Sequence, residues 1–276
     1  MRDQVRATLR QLRVTPQRLR GQNFLCDAAI PRRIAAVHEA DPSIPLLEIG
    51  PGLGALTAVL AESGVSLTAL ELEADFAAYL QAAFVRREQV RIIKTDALDF
   101  DYAGFNQGRP YRLYANVPYS ITTPLLKRLL NQGGNWLSLT LMLQKEAAQR
   151  IVSGQGRANG PLTMLAQYHG CCRLMFDVPA GSFWPVPAVN STVIDIQRRE
   201  QPPVAGDIRE IMGLVEAGFA ERRKLLLNSL AAVSGQGREH WRAVLAACGL
   251  PETVRAEQMN LEDFARLLAE HKKAPV

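Results

Sequence analysis

Asn116-Val117-Pro118-Tyr119 packs three kinds of group into four residues: a side-chain amide, a carbonyl on a residue without an N–H, and an aromatic ring. The amide oxygen and the proline carbonyl are acceptors, and the proline ring stiffens the turn that carries them. Two acceptors aimed at the two N–H bonds of an exocyclic base amine would return its delocalised lone pair to nitrogen. Such an amine needs no strong base. If that lone pair pointed at an activated methyl group, proximity and orientation would supply most of the rate. An aromatic ring beside it could stack on a base turned out of its helix. Asn116, Pro118 and Tyr119 are the expected catalytic set.

A methyl donor needs its own site, and Glu48-Ile49-Gly50-Pro51-Gly52-Leu53-Gly54 has the form of one. Glycines at alternate positions between a strand and a helix let the backbone turn tightly and let a ligand approach the helix start. Gly50, Gly52 and Ala55 also satisfy the dinucleotide pattern G-x-G-x-x-A, so the loop alone does not choose a ligand. Two further acids narrow the choice. Glu71 ends the next apolar run, where a carboxylate can accept from both ribose hydroxyls. Asp96 follows the run after that and could accept from an adenine amine. Acids at three successive strand ends repel a pyrophosphate and tolerate a cation, which favours the sulfonium of S-adenosylmethionine. Gly50, Gly52, Glu71 and Asp96 are the expected cofactor residues.

These residues need a scaffold that brings strand ends together. Short apolar runs alternate with helix-period segments along the chain. Strands are expected at 46–49, 67–70, 90–94, 111–115 and 137–143, with two more at 171–177 and 192–198. Helices are expected at 56–63, 76–86, 123–131 and 145–152. The expectation is an α/β, Rossmann-like domain, at 21–199, with a parallel sheet. The polar stretch 199–207 with Pro202-Pro203 reads as a linker. Beyond it 208–234, 238–247 and 261–271 have helical period, giving a small all-helical C-terminal domain over 208–276.

The charge of the 276 residues is +5, and its distribution matters more than its size. Residues 1–33 carry a net +6, residues 200–276 a net −1, and the middle is neutral. In a helix, Arg2, Arg6, Arg10 and Arg13 would form a basic stripe with Val5, Leu9 and Leu12 off it, suited to a phosphate backbone. The arm 1–20 is therefore treated as a separate basic segment. Cys26, Cys171, Cys172 and Cys248 have neither zinc-site spacing nor the density of a disulfide framework. The four histidines, 38, 169, 240 and 271, are scattered, and no metal is expected. No run has the length of a membrane span and the N-terminus lacks the apolar core of a signal peptide, which points to the cytoplasm.

With these motifs in hand the chain resembles the KsgA/RsmA family of rRNA adenine N6-dimethyltransferases from about Arg18 to His271. Further matches are Gly21-Gln22-Asn23-Phe24-Leu25, Met142-Leu143-Gln144-Lys145-Glu146 with Arg150, and Ala166-Gln167-Tyr168. Others are Phe183-Trp184-Pro185-Val186-Pro187 with Ser191, Arg222-Arg223-Lys224 with Asn228-Ser229-Leu230, and Arg255-Ala256-Glu257. The resemblance implies a class I S-adenosylmethionine-dependent methyltransferase. It would dimethylate two adjacent adenosines in the 3′-terminal hairpin loop of 16S rRNA, within the small ribosomal subunit, as a monomer active in subunit biogenesis. By the same resemblance Asn23 and Leu25 would contact the methionine end of the cofactor, Gly50 would floor it, and Asn116 would sit between cofactor and target amine. Phe183 would close over the target base opposite Tyr119. Arg222, Arg223 and Lys224 would face rRNA from the first C-terminal helix. Trp184, Ala188 and Asn190 depart from the family's usual residues, which bears on the grip of the target loop and leaves the reaction intact. Two other readings are a 23S rRNA adenine methyltransferase of the antibiotic-resistance type and a non-catalytic nucleic-acid-binding relative. The C-terminal matches weigh against the first and the intact 116–119 motif against the second.

Overall fold

The computed structural model describes residues 2–16, 21–118, 121–132, 134–154, 159–221 and 223–273. In chain order it opens with α1 (Arg2–Gln11), β1 (Phe24–Leu25) and α2 (Ala29–Ala35). The units β2 (Leu46–Ile49), α3 (Ala55–Ala61), β3 (Leu67–Glu71), α4 (Ala74–Ala83) and β4 (Val90–Lys94) follow. Next come β5 (Tyr111–Asn116), α5 (Thr122–Asn131), β6 (Trp136–Gln144), α6 (Lys145–Ser153), α7 (Pro161–His169), β7 (Gly170–Val178), β8 (Phe183–Trp184) and β9 (Ser191–Arg198). The chain ends with α8 (Ile208–Phe219), α9 (Leu226–Val233), α10 (Arg238–Ala247) and α11 (Leu261–Lys273).

Seven strands form one sheet in the order β4-β3-β2-β5-β6-β9-β7. The first five are parallel to their neighbours and β9 runs antiparallel to β6. All four residues of β2 are buried, as expected of a central parallel strand covered on both faces. Because β2 lies between β3 and β5, the chain leaves it one way and returns on its other side. The carboxyl ends of the strands diverge at that switch point, where open α/β sheets bind their ligands. The register sets Ile49 beside Ala115, so Gly50 follows next to Asn116. The Rossmann-like α/β fold is the one expected.

The chain divides into two compact units. One takes in residues 1–148 and 171–198, the other 149–170 and 199–276. In the first, the N-terminal segment is a helix whose Val5 and Leu9 are buried in a cluster with Phe24 and Phe76. Its arginines at 2, 6 and 10 are exposed, whereas Arg13 lies past the helix end with φ +56°. The basic stripe thus forms on the outer face of a packed helix and stops at Arg10. The second unit is helical around Ile211, Leu230, Trp241 and Phe264. It takes in residues 149–170 because Met164 of α7, a helix the sequence pattern had not marked, joins the same cluster. Val204, in the stretch read as a linker, packs there too.

The single helix expected over 208–234 is two helices. Leu225 is extended (φ −66°, ψ 146°), and the Leu226 N–H donates to the Val254 carbonyl at 2.9 Å. The break folds α9 back over α8, burying Leu226, Leu227 and Leu230 against Ile211 and Val215. Close approach needs Gly218, since a Cβ there would stand 2.8 Å from Leu226 Cδ1. Asp207 starts α8 by accepting from the Arg209 N–H at 2.7 Å.

Candidate active site

The loop after β2 turns through three glycines in the left-handed region, Gly50 (φ +67°), Gly52 (φ +57°) and Gly54 (φ +81°). Only a residue without a Cβ adopts these angles freely. At Gly54 the space is closed as well, since a Cβ would lie 2.7 Å from Leu80 Cδ2. Glu71, at the end of β3, holds the loop in place. Its Oε2 accepts from the Gly52 N–H at 3.0 Å and its Oε1 from the Glu73 N–H at 2.9 Å. Burial raises the Glu71 carboxyl above its usual range, while those N–H donors pull it back.

Glu48 lies beneath the loop with 1% of its surface exposed. Its Oε2 meets no hydrogen-bond partner among the described residues, and burial pushes its carboxyl up to about 8. Burial of this kind favours the neutral form of an acid, and a nearby cation would favour the charged one. Asp96, past the end of β4, accepts from the Leu98 N–H at 2.8 Å through Oδ1.

Asn116 ends β5 and is half-buried. Its Nδ2 donates to the Asn23 carbonyl at 3.5 Å, a long bond that nonetheless assigns the other amide atom, Oδ1, as the acceptor. Asn23 is itself braced, donating from Nδ2 to the Gly21 carbonyl at 3.2 Å. The Pro118 carbonyl closes the following turn, accepting from the Ile121 N–H at 3.1 Å and the Thr122 hydroxyl at 3.4 Å. Its two acceptor positions are thus engaged within the turn. Tyr119 and Arg222 lie outside the described residues.

A cavity of about 610 Å³ brings these groups together. Asn23, Leu25, Gly50, Gly52, Glu71 and Asp96 line it, as do Asn116, Pro118 and Phe183. Leu25 is buried, pairing across the β1–β8 ribbon with Phe183. Phe183 is also 1% exposed and shares an apolar cluster with Met142 and Val193. Its ring is part of the inner wall. Any base it touches must enter the cavity. Arg223 and Lys224 belong to the helical unit, exposed in the turn after α8 and not on that helix. Lys224 pairs with Glu221 at 2.7 Å.

The lining contains residues that the motifs had not marked. Leu72 follows Glu71 and is 53% exposed at the cavity, and Phe24, Leu53 and Phe76 supply apolar wall. In the sequence Leu72 is one more apolar residue after a strand-end acid, and its exposure is visible only in the fold. Gln4, Val5 and Thr8 of α1 line the cavity too, and nothing in their types announces it. Among the described residues no three His, Cys, Asp or Glu side chains are grouped as a metal site would require. Nor is any of the described helices long and apolar enough to cross a membrane.

Comparison with known proteins identifies the family and the fold. The family model described as Ribosomal RNA adenine dimethylase matches residues 17–273. Ribosomal RNA small subunit methyltransferase A of Geobacter sulfurreducens is 41% identical over 253 residues, covering 90% of this chain and 92% of that one. The protein of the same name from Pelotomaculum thermopropionicum is 37% identical over 276 residues, with 95% and 94% covered. Among solved structures, the 23S rRNA methyltransferase ErmE superposes with a TM-score of 0.71 at 25% identity, covering 91% of this chain and 100% of that chain. A dimethyladenosine transferase from Plasmodium falciparum gives 0.76 at 22% identity, covering 91% and 98%, a likeness of fold.

Proposed function

The chain belongs to the ribosomal RNA adenine dimethylases, and from that membership we propose that it dimethylates the N6 amines of two adjacent adenosines in the 3′-terminal hairpin loop of 16S rRNA. It is an enzyme, an rRNA adenine dimethyltransferase. The methyl donor is S-adenosylmethionine, the substrate is the small ribosomal subunit, and the enzyme works as a cytoplasmic monomer in subunit biogenesis.

The cavity suits this donor chemically. Glu48 offers a buried oxygen without a partner to a cationic ligand, and the loop at Gly52 leaves so little room that a Cβ would meet the Phe24 ring at 3.3 Å. Glu71 would hold the ribose, Asp96 the adenine amine, and Asn23 and Leu25 the methionine end, over the floor made by Gly50 and Gly52. When bound, the donor supplies an electrophilic methyl group on a sulfonium.

The observation that supports the reading is the tie between Asn116 Nδ2 and the Asn23 carbonyl, which would turn Asn116 Oδ1 to accept from the target N–H. The Pro118 carbonyl takes the second N–H by releasing the longer of its two bonds, that from the Thr122 hydroxyl. With both N–H bonds held, the amine lone pair faces the methyl group, and the step as drawn calls on no metal ion. Tyr119 stacks on the base from one side and Phe183 bounds it from within. A loop base suits this site because it is already partly unstacked. Arg222, Arg223 and Lys224 of the helical domain bind the rRNA backbone, as does the outer face of α1.

The experiment is transfer of labelled methyl groups to unmethylated small subunits, followed by nucleoside analysis. Dimethyladenosine mapping to the adjacent pair near the 3′ end is the expected result, and label on large-subunit RNA or none would overturn the proposal. Asn116→Ala should lower turnover by about 100-fold or more, as loss of a preorganised hydrogen-bond partner does, with RNA binding retained.

A further inference from the structure

The family model matches from residue 17, past the end of α1 at Gln11. Yet α1 is built into the first unit. Val5 and Leu9 are buried with Phe24 of β1 and Phe76 of α4, and Leu53 of the glycine loop and Trp184 of β8 pack against the same cluster. Four segments that line the cavity therefore meet on one helix face. Polar contacts fasten the other side: Arg2 Nη2 donates to the Gly181 carbonyl at 2.7 Å, and the Arg6 guanidinium sits 5.4 Å from the Trp184 ring centroid. Trp184 is paired with Phe24 across the β1–β8 ribbon, so the residue that touches Arg6 also flanks the cavity wall. Gln4, Val5 and Thr8 reach the cavity itself.

We propose that α1 forms one wall of the donor cavity, and that Arg6 and Trp184 are positioning residues that set the β1–β8 ribbon, with Phe183 on it, against the cofactor loop. The inference rests on the reading of the cavity as an S-adenosylmethionine site. It divides the exposed arginines of the N-terminus into two classes. Arg2 and Arg6 contact Gly181 and Trp184, whereas Arg10, on the same helix, and Arg13, past its end, lack such a contact to the ribbon segment. The large ring of Trp184 gives α1 a surface to seat on and gives Arg6 a π face.

The test is calorimetric titration of the full chain with S-adenosylmethionine. Val5→Asp with Leu9→Asp, which unseats α1, should weaken binding at least tenfold. Trp184→Ala should weaken it severalfold and Trp184→Phe should restore most of the loss, whereas Arg10→Gln with Arg13→Gln should leave it unchanged. Amide hydrogen exchange on the unaltered protein makes the same point without substitution, since adding S-adenosylmethionine should slow exchange across residues 2–11. Unchanged affinity in the Val5/Leu9 variant, or protection of the glycine loop without protection of α1, overturns the inference and returns α1 to a purely RNA-binding role. Failure of the wild-type chain to bind S-adenosylmethionine at all would instead overturn the reading of the cavity.

Discussion

Glu48→Gln tests whether the floor of the cavity holds a proton in waiting. In the folded chain the Glu48 carboxyl is buried and pushed from 4.5 to about 8, chiefly by loss of water, with the Glu71 carboxylate adding to the rise. A folded state that holds a proton more tightly than the unfolded chain is stabilised fully below pH 4.5 and loses that contribution as pH rises towards 8. At about 1.4 kcal/mol per pH unit the interval caps the effect at about 5 kcal/mol, and water penetration into the ionised site reduces it to about 2–4 kcal/mol. Glutamine keeps the shape and never ionises. The melting temperature of the wild type should therefore fall relative to Glu48→Gln between pH 5 and 8, by roughly 2–4 °C for each kcal/mol. Saturating S-adenosylmethionine should flatten the wild-type curve, because a cation beside Glu48 favours its charged form. Thermal unfolding of both proteins across that range measures it. Parallel curves without ligand would refute the argument, since they would mean that Glu48 ionises in the folded state as easily as in water.

Three other outcomes are expected. Glu71→Gln replaces an acceptor with a donor facing the Gly52 and Glu73 N–H groups, and should weaken S-adenosylmethionine binding at least tenfold in the same titration. Gly218→Ala forces a Cβ to within 2.8 Å of Leu226 Cδ1 and should cost about 1–3 kcal/mol in urea unfolding, with cofactor affinity unaltered. Neutralising Arg223 and Lys224 together should lower the slope of log affinity for rRNA against log salt by about 1–2, and an unchanged slope would remove them from the RNA interface.

Much of the first unit was legible because its signals are local. Strands at 46–49 and 90–94 are bounded as their apolar runs suggest, and the glycines stand where the backbone turns left-handed. Where the reading failed, distance along the chain was the cause. The helical period of 208–234 runs unbroken through residues 220–225, but the chain breaks there because Leu226 finds a carbonyl partner at Val254 and a seat beside Gly218. Helix α7 was passed over, and only its packing through Met164 among the C-terminal helices gives residues 149–170 their place.

The order of strand-end residues, Glu48, Glu71, Asp96 and Asn116, was settled by the sequence alone, because period and turn chemistry act within a few residues. The environment of each was decided only in three dimensions. Glu48 is acidic in every reading of the sequence, yet its proton affinity follows from burial beneath a loop it does not itself form. Phe183 is aromatic in any context, but pairing with Leu25 turns it into cavity wall. The arginines of α1 announce a charged face, whereas the buried face of that helix exists because Phe24, Phe76 and Trp184, far apart in the chain, converge to receive Val5 and Leu9. Burial is a sum over neighbours from the whole chain, and no local pattern contains it.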